Sequence, residues 1–199
     1  MNVDLDRSKA VDSFKPVHGL FLRLSFALFV LAFSGCGPST FDSIRSGLDA
    51  RGHYIENVPF VKQTEFDCGP AALASVISFC GKAADLEKIS ASVYLPKLRG
   101  TLPMDLERYA KEEGFKTSSS SGSIAALKSA LRNNIPVICL LDLGFSVYRQ
   151  PHFVTVIGFD DGNGLFIVHD GETPNKTVRY EDFENKWARA GTWMIVITP

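Results

Sequence analysis

The sequence predicts an α+β fold, with N-terminal helices packed on a mostly antiparallel β-sheet. Three observations predict it. Helix-compatible segments come first, near residues 71–79, 86–93, 102–113 and 124–132. Runs rich in Val and Ile follow, at 137–142, 153–159 and 165–169. Between the last two lies Asp160-Asp161-Gly162-Asn163-Gly164, a turn cluster too short for a crossover helix, so these strands pair as a hairpin.

The chain has 199 residues, which suits one domain. With 45% hydrophobic residues and a net charge of −1, it lacks the basic footprint of a nucleic-acid binder. No segment repeats at a solenoid period. No P-loop and no multi-span apolar region is present, so the chain is not itself a transporter.

Taken in order, the elements divide at about residue 55. Residues 1–23 carry Arg7, Lys9, Lys15 and Arg23; residues 24–33 are apolar apart from Ser25; Ser34-Gly35-Cys36 follows. A charged start, a short apolar core and small residues before a processing point describe a secretory signal peptide over 1–35. The core of about ten residues is too short to span a bilayer as a helix. Residues 36–54 read as a tether, with a short helix near 41–48 the alternative. Residues 55–199 form the domain.

Within the domain, Gly69-Pro70 suits a helix entry and Gly81 its end. Asp85 caps the 86–93 segment, and Pro96 breaks the chain after it. Leu102, Leu106, Tyr109 and Ala110 share one helical face up to Gly114. Residues 115–117 read as a short strand and the serines at 118–121 as a loop. Ser123 caps the 124–132 helix. Residues 180–188 are helical, and 192–198 are the last strand.

The four cysteines, Cys36, Cys68, Cys80 and Cys139, contain no Cys-x-x-Cys pair, which argues against a zinc ribbon or a thioredoxin motif. Cys68 stands where a helix begins. Unpaired N–H groups and the helix dipole favour negative charge there, and a thiolate is the reactive form of cysteine. A thiolate needs a base. His152 opens the 153–159 strand and Asp170 ends the 165–169 strand, so a hairpin brings them to one end. There the carboxylate accepts the imidazole Nδ1–H and fixes its tautomer. His169 is the rival base; beside Ile167 on its strand it reads as a buried, satisfied histidine. Cys80 and Cys139 read as two separate core thiols, with a disulfide between them the alternative outside the cytoplasm. Zinc on Cys68, Cys80, His152 and His169 lacks any ligand spacing, and the 160–164 cluster does not meet the calcium-loop pattern. No metal or cofactor is expected.

Gln63, then Cys68-Gly69-Pro70-Ala71, then His152-Phe153-Val154, then Asp170-Gly171 resemble, in order and spacing, cysteine peptidase family thirty-nine. These are bacteriocin-processing, double-glycine leader peptidases fused to exporting ABC transporters, a papain-like group. The resemblance spans about residues 57–198. It implies a papain-like fold, Cys68 as nucleophile, His152 as general base and then acid, and Asp170 as its orienter. It also implies Gln63 as oxyanion donor beside the Cys68 N–H, and cleavage of a peptide or protein substrate after a Gly-Gly pair. Phe145, Tyr148 and Phe153 are candidate walls of a groove narrow enough to demand glycine. Gly171 stands where the family more often shows proline. Two other readings share the site: a module that binds a peptide without cutting it, and an acyltransferase.

Phe33-Ser34-Gly35-Cys36 resembles a bacterial lipobox. It implies lipidation of Cys36 and membrane attachment, with Gly37 favouring the periplasmic side of the outer membrane. A free-standing, monomeric, lipid-anchored cysteine peptidase of the cell envelope is the expectation.

Overall fold

The computed structural model describes residues 40–199. The signal peptide and the lipidation site at Cys36 lie outside the described residues.

The domain begins earlier than residue 55. Helices α1 (Phe41–Arg45) and α2 (Leu48–Arg51) lead into strand β1 (Gly52–Tyr54). The expected tether is thus corrected over its described part. Ile44 and Leu48, four residues apart, bury almost completely in the core. The Phe41 ring lies 4.8 Å from that of Tyr54. An apolar pair at helical spacing in a polar stretch docks rather than dangles.

Then come α3 (Cys68–Phe79), α4 (Leu86–Val93), the short β2 (Tyr94–Leu95) and β3 (Gly100–Thr101), and α5 (Pro103–Glu112). The Asp85 carboxylate accepts the N–H groups of Glu87 and Lys88, capping α4 as expected. Pro103 starts α5, where its missing N–H costs nothing. The remaining elements are β4 (Lys116–Ser121), α6 (Ile124–Arg132), β5 (Val137–Asp142), β6 (Pro151–Asp160), β7 (Leu165–His169), β8 (Lys176–Arg179), α7 (Tyr180–Arg189) and β9 (Trp193–Thr198). Ser123 Oγ accepts the Ala126 N–H at 3.2 Å and caps α6.

The main sheet runs β4-β9-β5-β6-β7-β8, antiparallel throughout. β1 adds to the far end of β6, with Tyr54 opposite Gly158 and Gly52 opposite Asp160. The serines expected as a loop are strand β4, which pairs with β9 from Lys116–Thr198 to Ser121–Trp193. Serine has little strand preference of its own; an apolar neighbour in β9 with ladder groups to satisfy outweighs it.

Both faces of the sheet are covered. On one, Leu73, Val76, Ile89 and Leu106 of α3–α5 pack against Ile138, Phe153 and Ile195. On the other, Leu127, Leu131, Phe183 and Trp187 of α6 and α7 pack against Val137, Cys139, Val154 and Val156. Hence β5 reads as a continuous apolar run rather than an alternating one. Cys139 is buried on the α6–α7 face and Cys80 borders the α3 face. Cys68, Cys80 and Cys139 are free thiols, as read from the sequence.

Candidate active site

Cys68 is the first residue of α3, and the close packing of α3 on β6 sets its sulfur against the sheet. That packing depends on Gly69. A Cβ there would lie 3.1 Å from Thr101 Cβ and 3.2 Å from the Phe153 ring. β7 ends at His169 opposite Thr155, so the first residues of β6 are paired only on their β5 side. The main-chain N–H of Phe153 is free to point at the Cys68 sulfur, joined by the N–H groups of Gly69 and Cys68 itself.

The charge on that sulfur differs from the expectation. Burial pushes the Cys68 thiol up, and the neighbouring Asp67 carboxylate adds to the rise; the three N–H groups oppose it without prevailing. A helix tip lowers a thiol pKa, but for the half-buried Cys68 loss of hydration outweighs it. Burial likewise pulls His152 below its ordinary value. Both shifts favour the uncharged pair, thiol and imidazole.

His152 begins one residue before the sulfur's donor on β6. Its Nε2 lies 2.8 Å from the main-chain oxygen of Asp170. A carbonyl only accepts, so Nε2 carries the proton and Nδ1 keeps a free lone pair. This reverses the expected arrangement, in which the Asp170 carboxylate takes the Nδ1 proton. The carboxylate is occupied elsewhere. Oδ1 accepts the N–H groups of Glu172 and Thr173, at 3.0 and 2.7 Å, and Oδ2 pairs with Lys176 Nζ at 2.6 Å. Burial raises the Asp170 pKa, but Lys176 and the two N–H groups outweigh it and hold the carboxyl below the usual range.

The tight turn that allows this runs through Gly171, at φ +84°. A Cβ on Gly171 would also come within 2.3 Å of Gln63 Oε1. Proline, fixed near φ −65°, cannot adopt that conformation. Gly171 therefore permits the turn in which the Asp170 carboxylate faces the N–H groups of its own loop.

Gln63 is held by the same turn. Its N–H donates to Gly171 O at 2.9 Å, and its Nε2 donates to Glu172 Oε1 at 2.9 Å. Nothing in the sequence pattern marks Glu172.

His169 is settled as a core residue. Nε2 donates to Val58 O at 3.0 Å and Nδ1 accepts the Asn175 N–H at 3.1 Å. Both nitrogens are occupied, leaving none for catalysis. With Cys68, Thr155 and Gly171 it lines a cavity of about 10 Å³ behind the sulfur, space for one water.

Of the three candidate groove walls, Phe153 is buried against Gly69 and Trp193. Phe145 and Tyr148 stand 86% and 70% exposed on the β5–β6 loop, with Val147 between them at 95%. Asp142 pins the neck of that loop. Its Oδ1 accepts the N–H groups of Gly144 and Gln150, both at 2.9 Å, and its Oδ2 accepts Arg149 Nη1 at 2.7 Å. The apolar tip thus projects from a fixed base that leads directly into His152.

Residues 55–194 match the family model described as Peptidase_C39 like family. Several solved structures are similar. The peptidase domain of Streptococcus ComA, a bi-functional ABC transporter involved in a quorum sensing pathway, is 25% identical, with a TM-score of 0.58 over 72% of this chain and 99% of that one. A C39-like peptidase from Bacillus anthracis gives 18% identity and a TM-score of 0.62, over 74% and 98%. A double-glycine-motif protease from an AMS/PCAT transporter, in complex with its leader peptide, gives 19% and 0.58, over 74% and 94%. The last two likenesses concern the fold alone. No curated protein matches the sequence. The family model covers most of the chain, and the helix-and-antiparallel-sheet architecture agrees with it: the chain belongs to the Peptidase_C39 like family.

Proposed function

We propose that the protein is a cysteine peptidase of the bacterial cell envelope that hydrolyses a peptide bond following a glycine pair. The observation that carries the reading is a helix-tip sulfur that receives the Phe153 N–H, the residue directly after a histidine whose Nε2 proton is fixed on Asp170 O. Nδ1 is then the proton acceptor. As Cys68 Sγ bonds to the substrate carbonyl carbon, its proton passes to Nδ1 and the carbonyl electron pair moves onto oxygen. The Cys68 N–H and the Gln63 amide steady that oxyanion. Nδ1 next protonates the leaving amine, and water hydrolyses the thioester by the reverse sequence.

The substrate class comes from the resemblance to double-glycine peptidases, one of which is bound to a leader peptide. The location comes from the sequence before the domain: a signal peptide over residues 1–35 and a lipid on Cys36, on the periplasmic side of the outer membrane. No nucleic acid partner enters this reading, and the protein acts as a monomer.

A cleavage profile of the full chain against a peptide library tests it. Cleavage should favour glycine on the acyl side and vanish in Cys68→Ala and His152→Ala. A peptide held intact for hours by wild-type protein would point instead to a binding module, and capture of the thioester by an added amine to an acyltransferase. For the anchor, Cys36→Ser should release the protein from the membrane fraction; retention would count against lipidation.

A further inference from the structure

The 170–173 turn holds two groups of the proposed reaction at once. Asp170 O accepts the His152 Nε2–H, while Gly171 O and the Glu172 carboxylate accept the main-chain and side-chain N–H of Gln63. The Gln63 amide sits in an arrangement it would not choose alone. Its Oε1 is buried with no hydrogen-bond partner among the described residues. It faces Gly171, at a distance that any Cβ would close. An unpaired buried acceptor raises the free energy of the site. The alternative, turning the amide over, would set oxygen against the Glu172 carboxylate, and two acceptors repel. Glu172 therefore decides which end of the amide faces which way. One amide hydrogen is engaged by Glu172; the second has no partner among the described residues.

We propose that Glu172 is a positioning residue. It fixes the Gln63 side chain so that the second N–H is presented to the oxyanion formed when Cys68 attacks. The proposal rests on the peptidase reading above. Glu172 does not touch substrate and acts only through Gln63, and this makes a sharp test possible.

The test is Cys68 acylation of the full chain by p-nitrophenyl acetate. The sulfur bonds to the acetyl carbon, its proton goes to His152, and p-nitrophenolate leaves and is read by absorbance. Gln63→Ala should slow acylation by about 10²-fold, as loss of one oxyanion donor does elsewhere. Glu172→Ala should slow it about tenfold, with an unchanged melting temperature because Glu172 is exposed. Glu172→Gln should recover most of the rate, since its carbonyl accepts the same N–H. In the Gln63→Ala background, Glu172→Ala should cost nothing further. An equal loss in both backgrounds, or wild-type rates in Glu172→Ala, would overturn the role of Glu172 while leaving the peptidase reading intact. Wild-type acylation no faster than that of Cys68→Ala would overturn both.

Discussion

His152 Nε2 and the main-chain oxygen of Asp170 lie 2.8 Å apart, while the Asp170 carboxylate faces Lys176 and its own turn. The side chain therefore shapes the loop that presents the carbonyl. Asparagine retains an oxygen able to accept the Glu172 and Thr173 N–H groups. Asp170→Asn should keep peptide-cleaving kcat/KM within about tenfold of wild type. Asp170→Ala should lose more than that and also about 1–3 kcal/mol of stability, from two unpaired turn N–H groups. A loss in Asp170→Asn as deep as in His152→Ala would show that the carboxylate contacts the imidazole during turnover.

The half-buried sulfur sets a pH expectation. A raised thiol pKa means that less thiolate exists at neutral pH than for free cysteine. Alkylation of Cys68 by iodoacetamide in the resting protein should climb with a midpoint above about 8.5, the ordinary thiol value. Cleavage should instead fall on the acid side, below about 6.5, as His152 becomes protonated and can no longer accept the thiol proton. An alkylation midpoint well below 8.5 would mean that the helix tip outweighs burial.

Replacing the exposed apolar tip should act on binding. Phe145→Ser with Tyr148→Ser, on the loop leading into His152, should raise KM several-fold with little change in kcat, and should leave the melting temperature within a degree or two because neither side chain packs in the core. An unchanged KM would remove the loop from substrate contact.

His169 predicts a stability profile. Burial lowers its folded pKa below the unfolded value of about 6.5; the Val58 carbonyl and the Asp170 charge only partly offset this. The folded state then binds fewer protons than the unfolded one. The contribution is complete above about pH 6.5 and is lost as pH falls toward the folded pKa, at no more than about 1.4 kcal/mol per pH unit. Urea midpoints measured between pH 7.5 and 5 should fall, and the fall should be shallower in His169→Gln. Parallel profiles would place the proton uptake elsewhere.

Much of this architecture is legible in the sequence because local chemistry agrees with the global fold. Asp85 and Ser123 cap helices, Pro103 opens one, and the 160–164 cluster turns the β6–β7 hairpin around the buried Asp160, whose Oδ1 accepts the N–H groups of Gly162 and Asn163. What was not legible depends on long-range partners. The β4 serines become a strand only because β9 lies beside them. Residues 41–54 join the domain through β6, more than a hundred positions along the chain. In the candidate site, residue types single out Cys68, His152, Asp170 and Gln63 as candidates. They do not announce that His152 meets the Asp170 carbonyl rather than its carboxylate, or that Glu172 holds the Gln63 amide. Those depend on the φ of Gly171, a torsion that composition does not encode.

β1 joins β6 at residues 158–160, six or more positions from His152, which at about 3.4 Å per residue is roughly 20 Å. Phe41, its ring tilted against Tyr54, enters at that same end. Strand β1 thus docks at the end of β6 remote from the Phe153 N–H that meets the sulfur. Substitutions that loosen residues 41–54 should therefore lower stability without shifting the groups at the Phe153 end of β6.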